Sequence, residues 1–275
     1  MDSILLIGQS NMSGRGYFDD NNKPICNDRI KKLVNGRFQP MWEPVSPDRS
    51  FAGASLAPAF ALEYLKYTAE PFGLIPASDG GSALDEWQKG EPLYEHAVFL
   101  ARLAMRQSKI VAVLWHQGEA DCRSTLCETY PERFVRMKDD MKKDLGLPDV
   151  KFYVGGLGDY LRDSERDPAL HNYEALNEKL RQIARENADV EYVDAAGLID
   201  RGDKLHFDTP SLREFGRRYF AAFLADHPDM LPLDYVPTAE KPIAEQLADM
   251  KKKYDAGAIT YDEYDAFIKK YIATL

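Results

Sequence analysis

Met1-Asp2-Ser3-Ile4-Leu5-Leu6-Ile7-Gly8-Gln9-Ser10-Asn11-Met12-Ser13-Gly14 decides how the rest of this chain is read. Ile4 to Ile7 is an unbroken apolar run. It is far shorter than a membrane span and lacks the basic start of a signal peptide. Without polar alternation it reads as a strand buried on both faces, as in a parallel sheet. The polar stretch between Gly8 and Gly14 then lies at the strand's carboxyl end, where open α/β sheets hold their ligands. Ser10 is there either as a nucleophile on the first turn out of the strand or as an ordinary helix-capping serine.

Further units of the same kind follow. Residues 71–77 form a second short apolar run, ending in Ser78-Asp79-Gly80-Gly81-Ser82. A Gly-Gly pair at a strand exit lets backbone N–H groups face a cleft unobstructed, or simply makes a tight turn. Ile110 to Trp115 is a β-branched, uncharged strand that stops at His116-Gln117-Gly118-Glu119-Ala120-Asp121. Strands over 150–157 and 190–193 complete the set. Helices are expected over 54–67, 94–107, 129–145 and 169–187, and from Thr209 to about Ala225. In the last, Pro210 suits the first turn, and Ser211 with Glu214 matches a capping box. Parallel strands need crossovers, and each gap holds a helix of suitable length. The expected fold is a three-layer α/β/α sandwich around a parallel sheet of about five strands. Residues 19–51, with several prolines and the hairpin dipeptide Asn35-Gly36, read as a long irregular insertion lining the site.

The domain boundaries expected are 1–226 for the α/β unit, 227–242 for a Pro-rich linker, and 243–275 for a helical hairpin with a capping box at Thr260 to Glu263. The hairpin is too small to bury much surface alone. It is expected to dock on the main domain or on another copy, giving a homo-oligomer.

Of the 275 residues, 44% are hydrophobic and 29% charged, with a net charge of −10. This is a globular composition, and its acidity argues against nucleic acid or an anionic membrane as partner. Cys26, Cys122 and Cys127 have neither metal-ligand nor disulfide spacing. No metal and no cofactor are expected. With no targeting segment in view, a reducing, cytoplasmic location is the expectation.

The strand ends can be assembled into one chemistry. A serine hydroxyl needs a base within hydrogen-bond reach, and His206 is the candidate. The base needs an acceptor on its other nitrogen, which Asp203 supplies from the same loop. A tetrahedral oxyanion needs donors aimed at one point. The N–H of Ser10, the N–H of Gly81 and the side-chain amide of Gln117 are the candidates. Gln9, Trp87 and Trp42 are candidate substrate contacts, with Trp87 and Trp42 equally suited to packing. His116 reads as a packed histidine rather than a base.

The blocks Gly8-Gln9-Ser10-Asn11-Met12, Gly80-Gly81-Ser82, Trp115 to Asp121, and Asp203-x-x-His206 resemble the signature blocks of SGNH hydrolases. They are closest to the sialate O-acetylesterase and acetylxylan esterase branch of carbohydrate esterases. The resemblance runs over residues 2–226, in the family's order. It implies a flavodoxin-like SGNH fold, with Ser10 as nucleophile, His206 as base, Asp203 as its partner and Gly81 as an oxyanion donor. Gln117 stands where the general SGNH pattern has Asn, a substitution familiar in the carbohydrate-esterase branch. In some members the Glu of that block, here Glu119, supports the histidine, so Asp203 and Glu119 both stand as candidates. Residues 253–260 resemble the short C-terminal domains appended to many bacterial proteins.

The function expected is a cofactor-independent serine esterase removing O-acetyl groups from a carbohydrate. The alternatives are a catalytically silent carbohydrate-binding or scaffold protein on the same fold, and a lipase or thioesterase acting on longer acyl chains.

Overall fold

The computed structural model describes residues 1–46, 48–233 and 243–272. Seven strands form one mixed sheet: β1 (Asp2–Gly8), β2 (Cys26–Val34), β3 (Arg37–Trp42), β4 (Phe72–Pro76), β5 (Lys109–His116), β6 (Lys151–Gly155) and β7 (Val190–Val193). Their spatial order is β3-β2-β4-β1-β5-β6-β7. Within it, β4-β1-β5-β6-β7 is the expected five-stranded parallel core. Its order is the flavodoxin-like one, with the switch point between β1 and β5. β1 is central, and Ile4, Leu5, Leu6 and Ile7 are all buried, so both faces are covered.

The five-stranded expectation is corrected by the hairpin β2–β3, which lies inside the stretch read as irregular. β2 runs parallel to β4 and antiparallel to β3. Asn35 and Gly36 both take positive φ, 50° and 77°, as a type I′ hairpin turn requires. The strand is hard to see because Lys32 is buried in it. The Lys32 ammonium donates to the carbonyls of Trp42 and Pro44 and lies 3.8 Å from the Trp42 ring centroid. Burial pulls its pKa down to about 8.

Eight α-helices accompany the sheet among the described residues: α1 (Ser10–Ser13), α2 (Ala57–Tyr64), α3 (Pro92–Ala104), α4 (Ser124–Leu145), α5 (Tyr173–Glu186), α6 (Thr209–Ala225), α7 (Ile243–Asp255) and α8 (Tyr261–Ile272). α2 packs on α6, and α3, α4 and α5 pack in series. On the first side, Phe60, Tyr64, Phe72, Phe220 and Phe223 form a continuous aromatic cluster. α6 is capped differently from the expectation. Asp208 accepts from the Ser211 N–H at 2.8 Å, while the Ser211 hydroxyl accepts from Ile199 N–H at 2.9 Å. Glu214 pairs instead with Arg217 and Arg218.

α7 and α8 lie in the stretch read as a helical hairpin and pack on one another. Its capping box is present: Thr260 N–H donates to Glu263 at 2.8 Å, and Glu263 N–H donates to the Thr260 hydroxyl at 3.3 Å. Of the expected linker, residues 234–242 lie outside the described residues.

Candidate active site

β1 delivers Ser10 directly into α1, and Gln9 N–H donates to His116 O at 2.9 Å, tying the exits of β1 and β5. On the other side Asp79 N–H donates to Gly8 O at 3.0 Å, placing the Gly80-Gly81 turn beside the same exit. The loop preceding α6 supplies His206. Its Nε2 accepts from the Ser10 hydroxyl at 3.1 Å, and its Nδ1–H donates to Asp203 Oδ2 at 2.7 Å. Residues almost 200 positions apart in the chain thus form one hydrogen-bonded line.

Asp203 is fixed from several directions. Its other oxygen accepts from the Leu205 and His206 backbone N–H groups, at 3.0 and 2.8 Å. Arg201 Nε donates to Oδ2 at 2.9 Å. Burial pushes its carboxyl upward, but the hydrogen bonds and charge of His206, together with Arg201, outweigh it. The net effect holds Asp203 well below the usual carboxylate range. It is therefore ionised at any pH at which His206 is useful, and orients the ring with Nε2 as the free acceptor.

Glu119, the other candidate partner, is not bonded to His206. Its Oε1 accepts from Asn11 Nδ2 at 2.6 Å and faces His116 Nε2 at 3.4 Å. Burial raises its pKa and the His116 and Asn11 contacts lower it, with a net lowering. Asn11 turns this carboxylate into an indirect support. Its amide also donates to Leu205 O at 3.2 Å, and its oxygen accepts from Phe207 N–H at 3.2 Å. The loop is thereby clasped on both sides of His206. His116 is completely buried between the Phe207 and Phe215 rings, the packed histidine expected.

The third expected oxyanion donor is corrected. Gln117 is completely buried. Its amide N–H groups go to Ser82 O at 3.1 Å and Asp121 Oδ2 at 2.6 Å, and its oxygen accepts from the Tyr130 hydroxyl at 2.9 Å. Asp121 also accepts from Leu84 N–H and Arg133. The block after β5 is therefore a brace under the turn that carries Gly81. From outside, Asp48 accepts from Gly80 N–H at 2.8 Å and pairs with buried Arg15 at 2.6 Å. Arg49 reaches Asp79 and Gly80 O. Two candidate donors remain. The Ser10 N–H heads α1, where the helix offers it no acceptor. Gly81 has a φ of 85° with open space where a side chain would be.

The candidate substrate contacts also shift. Gln9 is buried, and its side-chain oxygen accepts from Gly118 and Ala120 N–H, both at 3.4 Å. It is a strut between β1 and β5. Trp87 is buried against Trp115, with its indole N–H on the Ser82 hydroxyl at 2.9 Å, so it has no face for a sugar. Trp42 is 42% exposed, but it ends the edge strand β3, three strands from β1 at about 4.8 Å each. Asn11 lies inside the first signature block, but the sequence assigns it no role there. Arg201 and Asp48 lie in no block, and their signal was only adjacency to Asp203 or position within the 19–51 insertion.

A central parallel sheet, with Ser, His and Asp meeting at the carboxyl end of β1, is the arrangement that the resemblance to SGNH hydrolases implies. Comparison with known proteins agrees. Residues 1–225 match the family model described as carbohydrate esterase, sialic acid-specific acetylesterase. A probable carbohydrate esterase of Arabidopsis thaliana is 30% identical over 248 residues, covering 81% of this chain and 90% of that protein. A crystal structure from Arabidopsis thaliana superposes with a TM-score of 0.71 at 27% identity, covering 82% of this chain and 98% of that one. NanS superposes with a TM-score of 0.68 at 19% identity, covering 82% and 97%. A carbohydrate acetylesterase from Xanthomonas citri gives 0.59 at 19% identity, covering 80% and 55%. The chain belongs to the sialic acid-specific acetylesterase family of carbohydrate esterases, and is a carboxylic ester hydrolase.

Proposed function

We propose that this protein removes O-acetyl groups from a carbohydrate through an acetyl-enzyme on Ser10. The observation that carries the reading is the unbroken line Ser10–His206–Asp203. In the first half-reaction Ser10 Oγ attacks the acetyl carbonyl carbon while His206 Nε2 takes the hydroxyl proton. The carbonyl oxygen becomes an oxyanion facing the N–H groups of Ser10 and Gly81. Collapse breaks the bond to the sugar oxygen, which leaves with the proton from His206. In the second half-reaction His206 takes a proton from water as the water oxygen attacks the acetyl carbon; collapse breaks the bond to Ser10 Oγ, which takes the proton back from His206, and acetic acid leaves and ionises in solvent. Asp203 stays ionised throughout and stabilises the imidazolium.

The Gln117–Asp121 brace serves the same scheme indirectly. It fixes the Gly80-Gly81 turn before substrate arrives, so no reorganisation is left for the reaction. The hairpin of α7 and α8 is assigned to assembly rather than chemistry, and the α/β unit ends before it.

Hydrolysis of p-nitrophenyl acetate, butyrate and octanoate by wild type and Ser10→Ala tests the reading. Turnover that falls with chain length and disappears in Ser10→Ala supports it. Preference for octanoate would favour a long-chain acyl substrate. Wild-type turnover equal to that of the variant would contradict a Ser10 nucleophile.

A further inference from the structure

Two exposed aromatic rings lie against arginines that belong to the frame of the Ser10 cluster. Tyr17 is 60% and Phe51 65% exposed. Single exposed aromatics are ordinary, but these two are mounted. Arg201 Cζ lies 4.6 Å from the Tyr17 ring centroid, and Arg15 Cζ lies 5.3 Å from that of Phe51. A guanidinium over one face fixes the ring and leaves the opposite face to solvent.

The two arginines are themselves part of the site's frame. Arg201 Nη1 donates to the Arg15 carbonyl at 2.6 Å, and its Nε donates to Asp203 at 2.9 Å. Arg15 pairs with Asp48, which holds Gly80 N–H. One ring is thus coupled through a single side chain to the carboxylate behind His206. The other is coupled through one ion pair to the turn carrying Gly81. The backbones cannot drift apart: Gly16 and Ala54 exchange two hydrogen bonds, at 3.2 and 2.9 Å, and Thr209 Oγ1 donates to Tyr17 O at 2.6 Å.

A pyranose ring presents hydroxyls around its rim and C–H groups on its faces. A flat ring with one free face matches the C–H face and leaves the hydroxyls in water. We propose that Tyr17 and Phe51 form the platform on which the sugar ring of the ester stacks, holding its acetylated hydroxyl toward Ser10. This rests on the esterase reading above and deepens it. It also assigns the stacking role to residues other than the tryptophans.

The test compares kcat/KM for the acetylated pyranosides methyl β-D-xylopyranoside triacetate and O-acetyl-N-acetylneuraminic acid with that for ethyl acetate, which has no ring. Wild type, Tyr17→Ala, Phe51→Ala, Tyr17→Phe and Phe51→Tyr are measured. The expected result is that the ratio of sugar ester to ethyl acetate falls about tenfold in each Ala variant, mainly through KM. The aromatic variants should keep it within about twofold, since the buried ring area is nearly unchanged. Equal losses on both ester types in the Ala variants would overturn the proposal, because the rings would then only hold the site together. An unchanged ratio would overturn it too.

Saturation-transfer NMR with free methyl β-D-xylopyranoside and N-acetylneuraminic acid on Ser10→Ala protein separates the two claims. Transfer lost in Ser10→Ala/Tyr17→Ala and Ser10→Ala/Phe51→Ala supports the platform even if no ester is turned over. Transfer unaffected by the rings, with esters hydrolysed, overturns the platform while the esterase reading stands.

Discussion

Asn11 bonds the loop that carries His206 on both sides of the histidine and also donates to Glu119, which holds it in place. A base displaced by about 1 Å can cost on the order of 100-fold in rate. Asn11→Ala is therefore expected to lower kcat by roughly 10- to 100-fold with little change in KM. Glu119→Gln keeps an acceptor for Asn11 and should lose far less, as steady-state kinetics on an acetyl ester would check. Asp203→Asn is expected to cost about 10⁴-fold in kcat, because the amide favours the wrong imidazole tautomer. Asp203 also ties stability to pH. Its folded pKa is depressed, so its contribution is complete above the unfolded value of about 3.9 and is lost as pH falls through the folded value. Melting temperatures of wild type and Asp203→Asn should differ above about pH 4 and converge as the pH is lowered further.

At the level of elements, the strands of the parallel core and their connecting helices were legible because each is an apolar run followed by turn residues. That Ser10, His206 and Asp203 would lie together was legible for a related reason: polar residues crowded at strand exits have no packing use. The β2–β3 hairpin was only half legible. Asn35-Gly36 gave the turn, but Lys32 and Pro40 broke the apolar pattern of the flanking strands. Lys32 is tolerated because two carbonyls accept from its ammonium, and Pro40 because β3 is an edge strand. Gln117 was misplaced for a similar reason. Sequence shows that an amide is present, not that a buried Asp121 one turn away has claimed it. The cap of α6 is a direct check on this reading. Asp208→Ala should destabilise the fold by about 1 kcal/mol in denaturant melts. Glu214→Ala should have little effect, whereas the Ser211–Glu214 capping box would have predicted the reverse.

For the whole molecule, the order of strands matters more than their number. Placing β1 between β4 and β5 brings Gly81, Ser10 and the brace after β5 to one edge. The α6 loop then closes over them from the far side. The apolar runs and turns alone do not give this order, because it is set by which strands pair; only the resemblance, which implies a flavodoxin-like fold, pointed to it. The hairpin α7–α8 belongs to this scale as well. Leu247, Met250, Phe267 and Ile268 remain partly exposed, and Tyr254 stacks on Tyr264 with centroids 5.2 Å apart. An apolar face of this kind suits contact with another copy. Deleting residues 243–275 is expected to lower the number of chains per particle measured by light scattering while leaving esterase turnover intact. An unchanged number of chains would remove the assembly role.

The central claim is that Ser10 is the nucleophile and His206 its activating base. Fluorophosphonate labelling followed by intact-mass and peptide mass spectrometry reads it most directly, since the reagent needs an activated serine but no particular sugar. A single adduct on the peptide containing Ser10, absent in Ser10→Ala and much slower in His206→Ala, is the result predicted. An adduct on a different serine, or labelling of Ser10 at the same rate without His206, would contradict the account.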